Sequence, residues 1–181
     1  MPRHSAAASG KNCVLYQERL TDWQNLLRLV MDAKDRQIIR LLQQDGRLTN
    51  QQLSEQVNLS PSPCLRRVRL LEEAGVIQGY AAIVDQRLYG LPVTAFIRVR
   101  LERHGRDLVR QFEEAIRQLD EVMDCHLLTG DADYLLRVIV ADLEAYEVFI
   151  RRKMHAIAGI ASLDTTFAYG VVKSSRTFPS G

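Results

Sequence analysis

The chain has 181 residues, enough for one or two small domains, and its hydrophobic content of 46% is sufficient for a packed core. Its net charge is only +2, so a nucleic-acid-binding surface would need locally clustered basic side chains. The three cysteines are too widely spaced for a CxxC metal site or a disulfide framework. No apolar run reaches the ~18–20 residues of a membrane span. We therefore expect a soluble protein of the reducing cytoplasm, with no metal and no cofactor.

The first thirty residues differ from the rest of the chain. They begin with a small, polar stretch, and four apolar side chains then repeat at helical spacing. These are Leu20, Trp23, Leu27 and Val30. The segment is predicted to be an extension, either an added amphipathic helix or a peripheral stretch, and Met31 is an alternative first residue.

Three short helices are predicted after this extension. Asp32 and Asp35 fit the cap and the third position of the first helix, which Gly46 ends. Thr49 and Gln52 match the capping box S/T-x-x-E/Q of the second helix. A turn of about three residues then leads into the third helix. This order predicts a helix-turn-helix, whose second helix enters the major groove of DNA; a three-helix bundle without a ligand is the alternative.

The third helix has two possible starting points. Ser60 can cap it through its hydroxyl, with Pro61 in the first turn, where a missing N–H costs nothing. Because Pro63 biases Ser62 away from helical geometry, the start could instead lie at Ser62. Gly75 is expected to end the helix in the left-handed conformation.

The side chains of this helix separate into an apolar and a basic face. The apolar stripe is predicted to consist of Cys64, Leu65, Val68 and Leu71. Three arginines fall off its centre, and their planar forks can bind phosphate or the edge of guanine; a solvated basic face is the simpler alternative. The predicted DNA-binding residues are Ser60, Pro61, Ser62, Pro63, Arg66, Arg67 and Arg69.

The second half of the chain alternates between strand and helix patterns. Strands are predicted at 93–102, 122–129, 134–140 and 160–172, and helices at about 108–119 and 143–154. The order β-α-β-β-α-β is that of the ferredoxin-like fold. The chain as a whole is thus predicted to be α+β, with an N-terminal helix-turn-helix domain and a C-terminal ferredoxin-like domain.

A single sheet with both helices on one side leaves its other face uncovered. Phe96, Val138 and Phe167 are the residues expected to supply apolar surface on that open face. Self-association would bury such a face by symmetry. We therefore expect a homodimer or a larger oligomer.

Three sequence segments together resemble the Lrp/AsnC (leucine-responsive, feast/famine) family of transcription factors. They are Ser-Pro-Ser-Pro-Cys at 60–64, Leu-Glu-Glu-Ala-Gly-Val-Ile at 71–77 and Gly-Asp-Ala-Asp-Tyr-Leu-Leu at 130–136. The similarity runs from about residue 31 to about residue 179. It implies a DNA-binding helix-turn-helix, a dimerising βαββαβ domain, assembly into octamers or other even oligomers, and an amino-acid effector bound between neighbouring dimers.

The same resemblance implies where the effector binds. The implied effector-binding residues are Gly130, Asp131, Asp133, Tyr134, Leu143, Thr166 and Phe167. The chemistry of the loop is compatible with this role, because Gly130 permits a positive φ that lets N–H groups converge on a carboxylate. Asp131 and Asp133 offer acceptors for an ammonium group. Alternatively, both aspartates serve only a hairpin turn, where they are favoured in any case.

Other chemistries find little support in the sequence. Cys125 and His126 are neighbours on a predicted strand and should point to opposite faces, which excludes a catalytic pair. Cys64 is expected in the core. No phosphate-binding glycine motif occurs, and no catalytic constellation was identified, so we do not expect an enzyme.

We therefore expect a DNA-binding transcriptional regulator whose affinity for double-stranded DNA responds to an amino acid, controlling genes of amino-acid metabolism or transport. An architectural, nucleoid-type protein with little ligand response is the alternative. The predicted domains are an extension (1–30), a helix-turn-helix domain (31–80), a linker strand or hinge (81–92), a ligand-sensing and oligomerisation domain (93–173) and a tail (174–181).

Overall fold

The computed structural model describes residues 31–103 and 105–179. The extension predicted for residues 1–30 and the last two residues of the predicted tail lie outside the described residues. The chain divides into two compact units, one comprising residues up to Ala82 together with those from Lys173 onward, and the other Ile83–Val172.

The described part of the first unit contains three helices. They are α1 (Ala33–Gln44), α2 (Asn50–Gln56) and α3 (Pro61–Glu73). The predicted capping box of Thr49 and Gln52 is present in α2, and Asp32 and Asp35, predicted as the cap and third residue of α1, also cap that helix reciprocally. The core consists of Ile38, Leu53, Val57, Cys64 and Leu71.

The turns of this unit use both predicted and unpredicted residues. Asn58 has a φ of 52° and Gly75 a φ of 71°, so the turn into α3 and the end of α3 take the left-handed conformation. The end of α1 differs from the prediction, because Gly46 has no positive φ. The extended residue Asp45 terminates the helix instead, and its carboxylate accepts a hydrogen bond from the backbone N–H of Arg47.

The second unit contains the predicted β-α-β-β-α-β sequence of elements. These are β1 (Val93–Leu101), α4 (Arg106–Arg117), β2 (Val122–Leu127), β3 (Tyr134–Val140), α5 (Leu143–Phe149), a π-helical turn (Ile150–Met154) and β4 (Ile160–Phe167). All strand pairs are antiparallel and the spatial order is β2-β3-β1-β4, which confirms the ferredoxin-like fold. β4 ends at Phe167, five residues before the predicted end at 172. Between Val76 and Pro92 the described chain forms no strand.

The π-helical turn was not predicted from the sequence. It follows α5 directly, and the backbone N–H of His155 donates to the carbonyl of Ile150, five residues earlier, at 3.0 Å. Met154, at the end of this turn, is fully buried in the core against the sheet. The turn therefore keeps the end of this helical segment packed on the sheet.

The strand register assigns each side chain to one face of the sheet. Along β1 the residues Ala95, Ile97, Val99 and Leu101 are buried under the helices, and the residues between them are exposed. Side chains directly opposite one another in an antiparallel pair share a face.

Two of the three residues predicted for the open face lie on the helix-covered face. Val138 is fully buried in the core, and Phe167 pairs with Ala95 and packs its ring edge-on against Tyr146 of α5, with ring centroids 4.9 Å apart. Only Phe96 lies on the open face as predicted. The prediction was wrong for the other two because alternation within one strand does not say which face the helices will cover.

Candidate DNA-binding and effector sites

The first turn of α3 contains two prolines. Ser60 is the N-cap residue and Pro61 the first helical residue, so the alternative start at Ser62 is wrong. The predicted hydrogen bond from the Ser60 hydroxyl is absent as well. An N-cap oxygen usually accepts from the second or third helical N–H, and the third residue is Pro63, which has none. The hydroxyl of Ser60 is therefore not engaged in capping.

The buried stripe of α3 is narrower than predicted. Cys64 and Leu71 are buried and Val68 partly so, but Leu65 is 38% exposed. Successive helical residues are turned by about 100°, so Leu65 points well away from Cys64. The stripe therefore follows the i, i+4, i+7 positions only, and Leu65 belongs to the rim of the exposed face.

The outward side of α3 forms a shallow groove of about 250 Å³. It is lined by Ser62, Leu65, Arg66, Arg69, Leu70 and Glu73. Arg66 and Arg69 are exposed, and neither forms an ion pair with any residue in the described part of the chain. Their guanidinium groups are therefore available to an external anion or hydrogen-bond acceptor.

Arg67 lies elsewhere. It is turned by only about 60° from the direction of Cys64, and its Nη1 lies 2.7 Å from Asp32 Oδ2 and 2.7 Å from Asp35 Oδ1. These carboxylates hold its pKa above the usual value, with Asp35 the larger contributor. The three arginines predicted together thus separate into two outward side chains and one that is bound to α1.

Asp32 and Asp35 each serve two purposes at the start of α1. The other oxygen of each carboxylate accepts a backbone N–H of the capping box, at 2.9 Å from Asp35 and 3.0 Å from Asp32. The hydrogen bond from Asp35 N–H, and then Arg67, lower the pKa of Asp32.

The hairpin between β2 and β3 carries four of the implied effector residues. Gly130 has a φ of 122° and is exposed, as is Asp131. The carbonyl oxygen of Asp131 accepts two hydrogen bonds from Arg100, at 2.9 Å from Nε and 2.7 Å from Nη2. Arg100 lies on the open face of β1 and was not singled out from the sequence, because only the strand register brings it beside this loop.

Asp133 and Tyr134 are buried structural members of the same hairpin. Asp133 is 8% exposed, and its Oδ2 accepts the backbone N–H of Leu101 at 2.8 Å. Tyr134 packs on Phe112 and donates its hydroxyl to Glu113 at 3.1 Å. Burial and the carboxylate of Glu113 raise the pKa of Tyr134. Within one chain, these two residues hold the loop on β1 and α4.

The remaining three implied effector residues lie at the other end of the sheet. Leu143 is 63% exposed at the start of α5, and Thr166 and Phe167 are exposed at the end of β4. Phe167 pairs with Ala95, whereas Tyr134 pairs with Val99, four residues further along β1. At a rise of ~3.4 Å per residue this is ~14 Å, and the hairpin loop lies further still. One chain alone does not bring the two groups together.

The two cysteines within the described residues occupy the positions expected from the sequence. Cys64 is buried, and burial raises the pKa of its thiol. Cys125 pairs with Leu136 and His126 with Leu135, so their side chains lie on opposite faces of the sheet. Across residues 31–103 and 105–179, no cluster of histidine, cysteine, aspartate and glutamate has the geometry of a metal site. No helix in that part of the chain is long and apolar enough to cross a membrane.

Comparison with known proteins agrees with this two-part organisation. Residues 31–78 match the family model of the winged helix-turn-helix DNA-binding domain, and residues 94–178 match that of the Lrp/AsnC ligand binding domain. The leucine-responsive regulatory proteins of Klebsiella pneumoniae and Escherichia coli K12 are each 39% identical over 146 residues, which is 81% of this chain and 89% of theirs.

Solved structures show the same similarity. A transcriptional regulator from Neisseria meningitidis, crystallised in complex with L-Met, is 38% identical with a TM-score of 0.79, covering 83% of this chain and 97% of its own. An AsnC-family transcriptional regulator from Agrobacterium tumefaciens is 37% identical with a TM-score of 0.79, covering 82% and 97%.

The helix-turn-helix and the ligand-binding domain together define a DNA-binding transcriptional regulator with a built-in sensing domain. Within that class, the chain belongs to the Lrp/AsnC family.

Asp133→Ala should destabilise the sensing unit. The change leaves the buried backbone N–H of Leu101 without its acceptor, which costs about 1–3 kcal/mol of unfolding free energy. Urea denaturation followed by circular dichroism measures the difference. Asp131→Ala is the matched control, since its side chain is exposed, and it should change the free energy by less than about 0.5 kcal/mol. Equal effects of the two substitutions would contradict the structural role of Asp133.

The contribution of Asp32 to stability should depend on pH. Its pKa is lower in the folded protein than the value of 3.8 for the free group, so its stabilisation is present above about pH 4 and is lost as the pH falls through the folded pKa. Asn is also a good N-cap but does not titrate. In chemical denaturation, wild type should therefore exceed Asp32→Asn in stability near neutral pH, and the difference should shrink below about pH 4. A difference independent of pH would contradict this assignment.

Proposed function

We propose that the outward face of α3 is the DNA-reading surface of this regulator. The observation that carries the proposal is the pair Arg66 and Arg69, which are exposed on one side of the helix without an ion-pair partner among the described residues. Their forks can bind phosphate or the O6/N7 edge of guanine. Ser60 and Ser62 add hydroxyls beside a helix N-terminus, which favours phosphate, and Pro61 and Pro63 lie in the same exposed turn.

Two copies of the chain would present two such helices to DNA. In dimeric helix-turn-helix proteins the recognition helices bind half-sites about one helical turn apart, so the target site should be roughly palindromic. The open face of the sheet supports a dimer, because it carries the apolar side chains of Phe96, Leu135 and Ile139 among arginines. A second copy of the chain would bury these apolar side chains. Assembly of dimers into octamers or other even oligomers is part of the proposal.

An amino acid is the effector that this arrangement suits. Two leucine-responsive relatives and a relative crystallised with L-Met make leucine and methionine the first ligands to test. We place the ligand between neighbouring subunits, with the Gly130–Asp131 loop of one and Leu143, Thr166 and Phe167 of another. The separation of these two groups along one sheet supports a shared site. Asp133 and Tyr134 hold the loop in place.

Binding of the effector would change DNA affinity by linkage. A ligand shared between subunits favours one mode of subunit association. If the modes differ in their affinity for DNA, ligand binding then changes the DNA affinity. A coupling of ~1–3 kcal/mol corresponds to a ~5–150-fold response. The controlled genes would serve amino-acid metabolism or transport.

Arg66→Ala and Arg69→Ala should weaken binding to a duplex selected by the wild-type protein from a random pool. A lost base contact costs ~1–3 kcal/mol and relaxes sequence preference at one position, whereas a lost phosphate contact lowers the salt slope by about one. Fluorescence anisotropy at several salt concentrations separates these cases. Arg110→Ala, an exposed arginine of α4, is the control. Unchanged binding in both α3 variants, or a footprint that spreads without a preferred site, would overturn the proposal.

One amino acid should raise the melting temperature of the full chain. A ligand at ~100 times its dissociation constant adds ~2.7 kcal/mol to the free energy of unfolding. Thermal melts against the twenty amino acids identify it, and Asp131→Ala or Leu143→Ala should reduce the shift without changing the melting temperature of the free protein. Asp107→Ala, exposed on α4, should retain the full shift. The effector proposal is wrong if no amino acid stabilises the wild type.

A further inference from the structure

The first turn of α1 contacts both helices of the helix-turn-helix. Lys34 Nζ donates to the carbonyl oxygen of Val57 at 2.5 Å, and Gln37 Nε2 donates to that of Gln56 at 3.1 Å. These carbonyls belong to the C-terminal end of α2, where a helix leaves acceptors unsatisfied and favours a cation. From the same turn, Asp32 and Asp35 bind Arg67 of α3.

We propose that Arg67 is a positioning residue, which sets the rotation of α3 about its own axis by binding Asp32 and Asp35, and that it does not itself contact DNA. The first turn of α1 then sets the orientation of the DNA-reading side of α3. This inference rests on the proposal that the outward side of α3 reads DNA, and it removes one of the three arginines from that role.

The geometry opposes a direct DNA contact by Arg67. Its Nη1 donates a charge-assisted hydrogen bond to Asp35 Oδ1 at 2.7 Å and lies 2.7 Å from Asp32 Oδ2 in an ion pair. The side chain of Asp35 is only 13% exposed. If Arg67 moved away to reach a phosphate, it would leave this largely buried carboxylate without its ion-pair partner. The two carboxylates would also repel a phosphate placed beside them.

The rotation of α3 matters because its buried stripe is narrow. Within the described part of the chain, α3 packs into the core through Cys64, Val68 and Leu71, and the first two side chains are short. A roll of about 20° would move a side chain at ~5–6 Å from the axis by about 2 Å, enough to break a hydrogen bond to a base edge. An ionic attachment to one side of the stripe opposes that roll.

The test compares Arg67→Ala with Asp35→Asn and with the double variant, in the full chain without effector. Asn can still accept the N–H of Asp32, so the cap of α1 is retained while the charge is lost. Affinity is measured for the duplex selected by the wild-type protein and for a scrambled duplex, over a range of salt. Binding is measured well below the melting temperature of each variant, so that only folded proteins are compared.

A positioning role predicts that both single variants lose affinity for the selected duplex by similar factors. Coupling between contacting residues spans about 2- to 150-fold, and the double variant should be no worse than either single one. Affinity for the scrambled duplex and the salt slope should stay unchanged. If Arg67→Ala does not fold, Asp35→Asn alone must show the same loss of discrimination.

Several results would overturn the proposal. If Arg67 touched a phosphate, Arg67→Ala would lower the salt slope by about 0.9. If it read a base, Asp35→Asn would leave binding unchanged or tighten it, since it frees the arginine and removes a negative charge. Unchanged binding in both variants, or equal losses on both duplexes, would also overturn it. Arg66→Ala serves as the separate check of the reading face, and its failure would count against the proposed function instead.

Discussion

Four carboxylate oxygens at the start of α1 hold the helix-turn-helix in one arrangement. One oxygen each of Asp32 and Asp35 satisfies a backbone N–H of the helix end, and the other binds Arg67 of α3. Exposed ion pairs contribute little free energy by themselves. Here the carboxylates are already fixed by the capping box, so little side-chain entropy is lost when Arg67 binds. The interaction therefore fixes the arrangement of the helices more than it stabilises them, in a unit whose described residues include five core residues.

The ligand-binding unit depends on a different constraint, which is that helices cover only one face of its sheet. Helices α4 and α5 pack on the face of the sheet that contains Ile97 and Leu136. The opposite, open face carries arginines among apolar side chains. The hairpin loop is attached to that open side by Arg100. A contact made by another subunit on the open face would thus lie beside this hairpin loop, so the proposed effector site and the proposed subunit interface would adjoin each other.

Local signals in the sequence predicted the order of the α-helices and strands, but not the π-helical turn, the end of β4 or the contacts between elements. The cap of α1 at Asp32, the capping box at Thr49 and the alternation of β1 involve neighbours within a few residues, and all three were predicted correctly. The faces of Val138 and Phe167, and the partner of Arg100, depend on strand register, which no single strand encodes. Arg67 could have been separated from Arg66 by helical angle alone, but its binding to Asp32 and Asp35 requires the packing of α1 against α3.

The π-helical turn at Ile150–Met154 makes this part of the chain tolerant of one particular change in length. A π-turn accommodates one residue more than the α-helical turn it replaces. If a residue were deleted between Ile150 and Met154, an ordinary α-helix would continue, and the residues beyond would keep nearly the same direction about the helix axis, because the extra residue of a π-turn is taken up within one rotation. A deletion within α5, which has no extra residue to lose, would instead turn everything beyond it by about 100° and move Met154 out of the core. Among relatives, the loss of one residue should therefore be tolerated in this turn and excluded from α5.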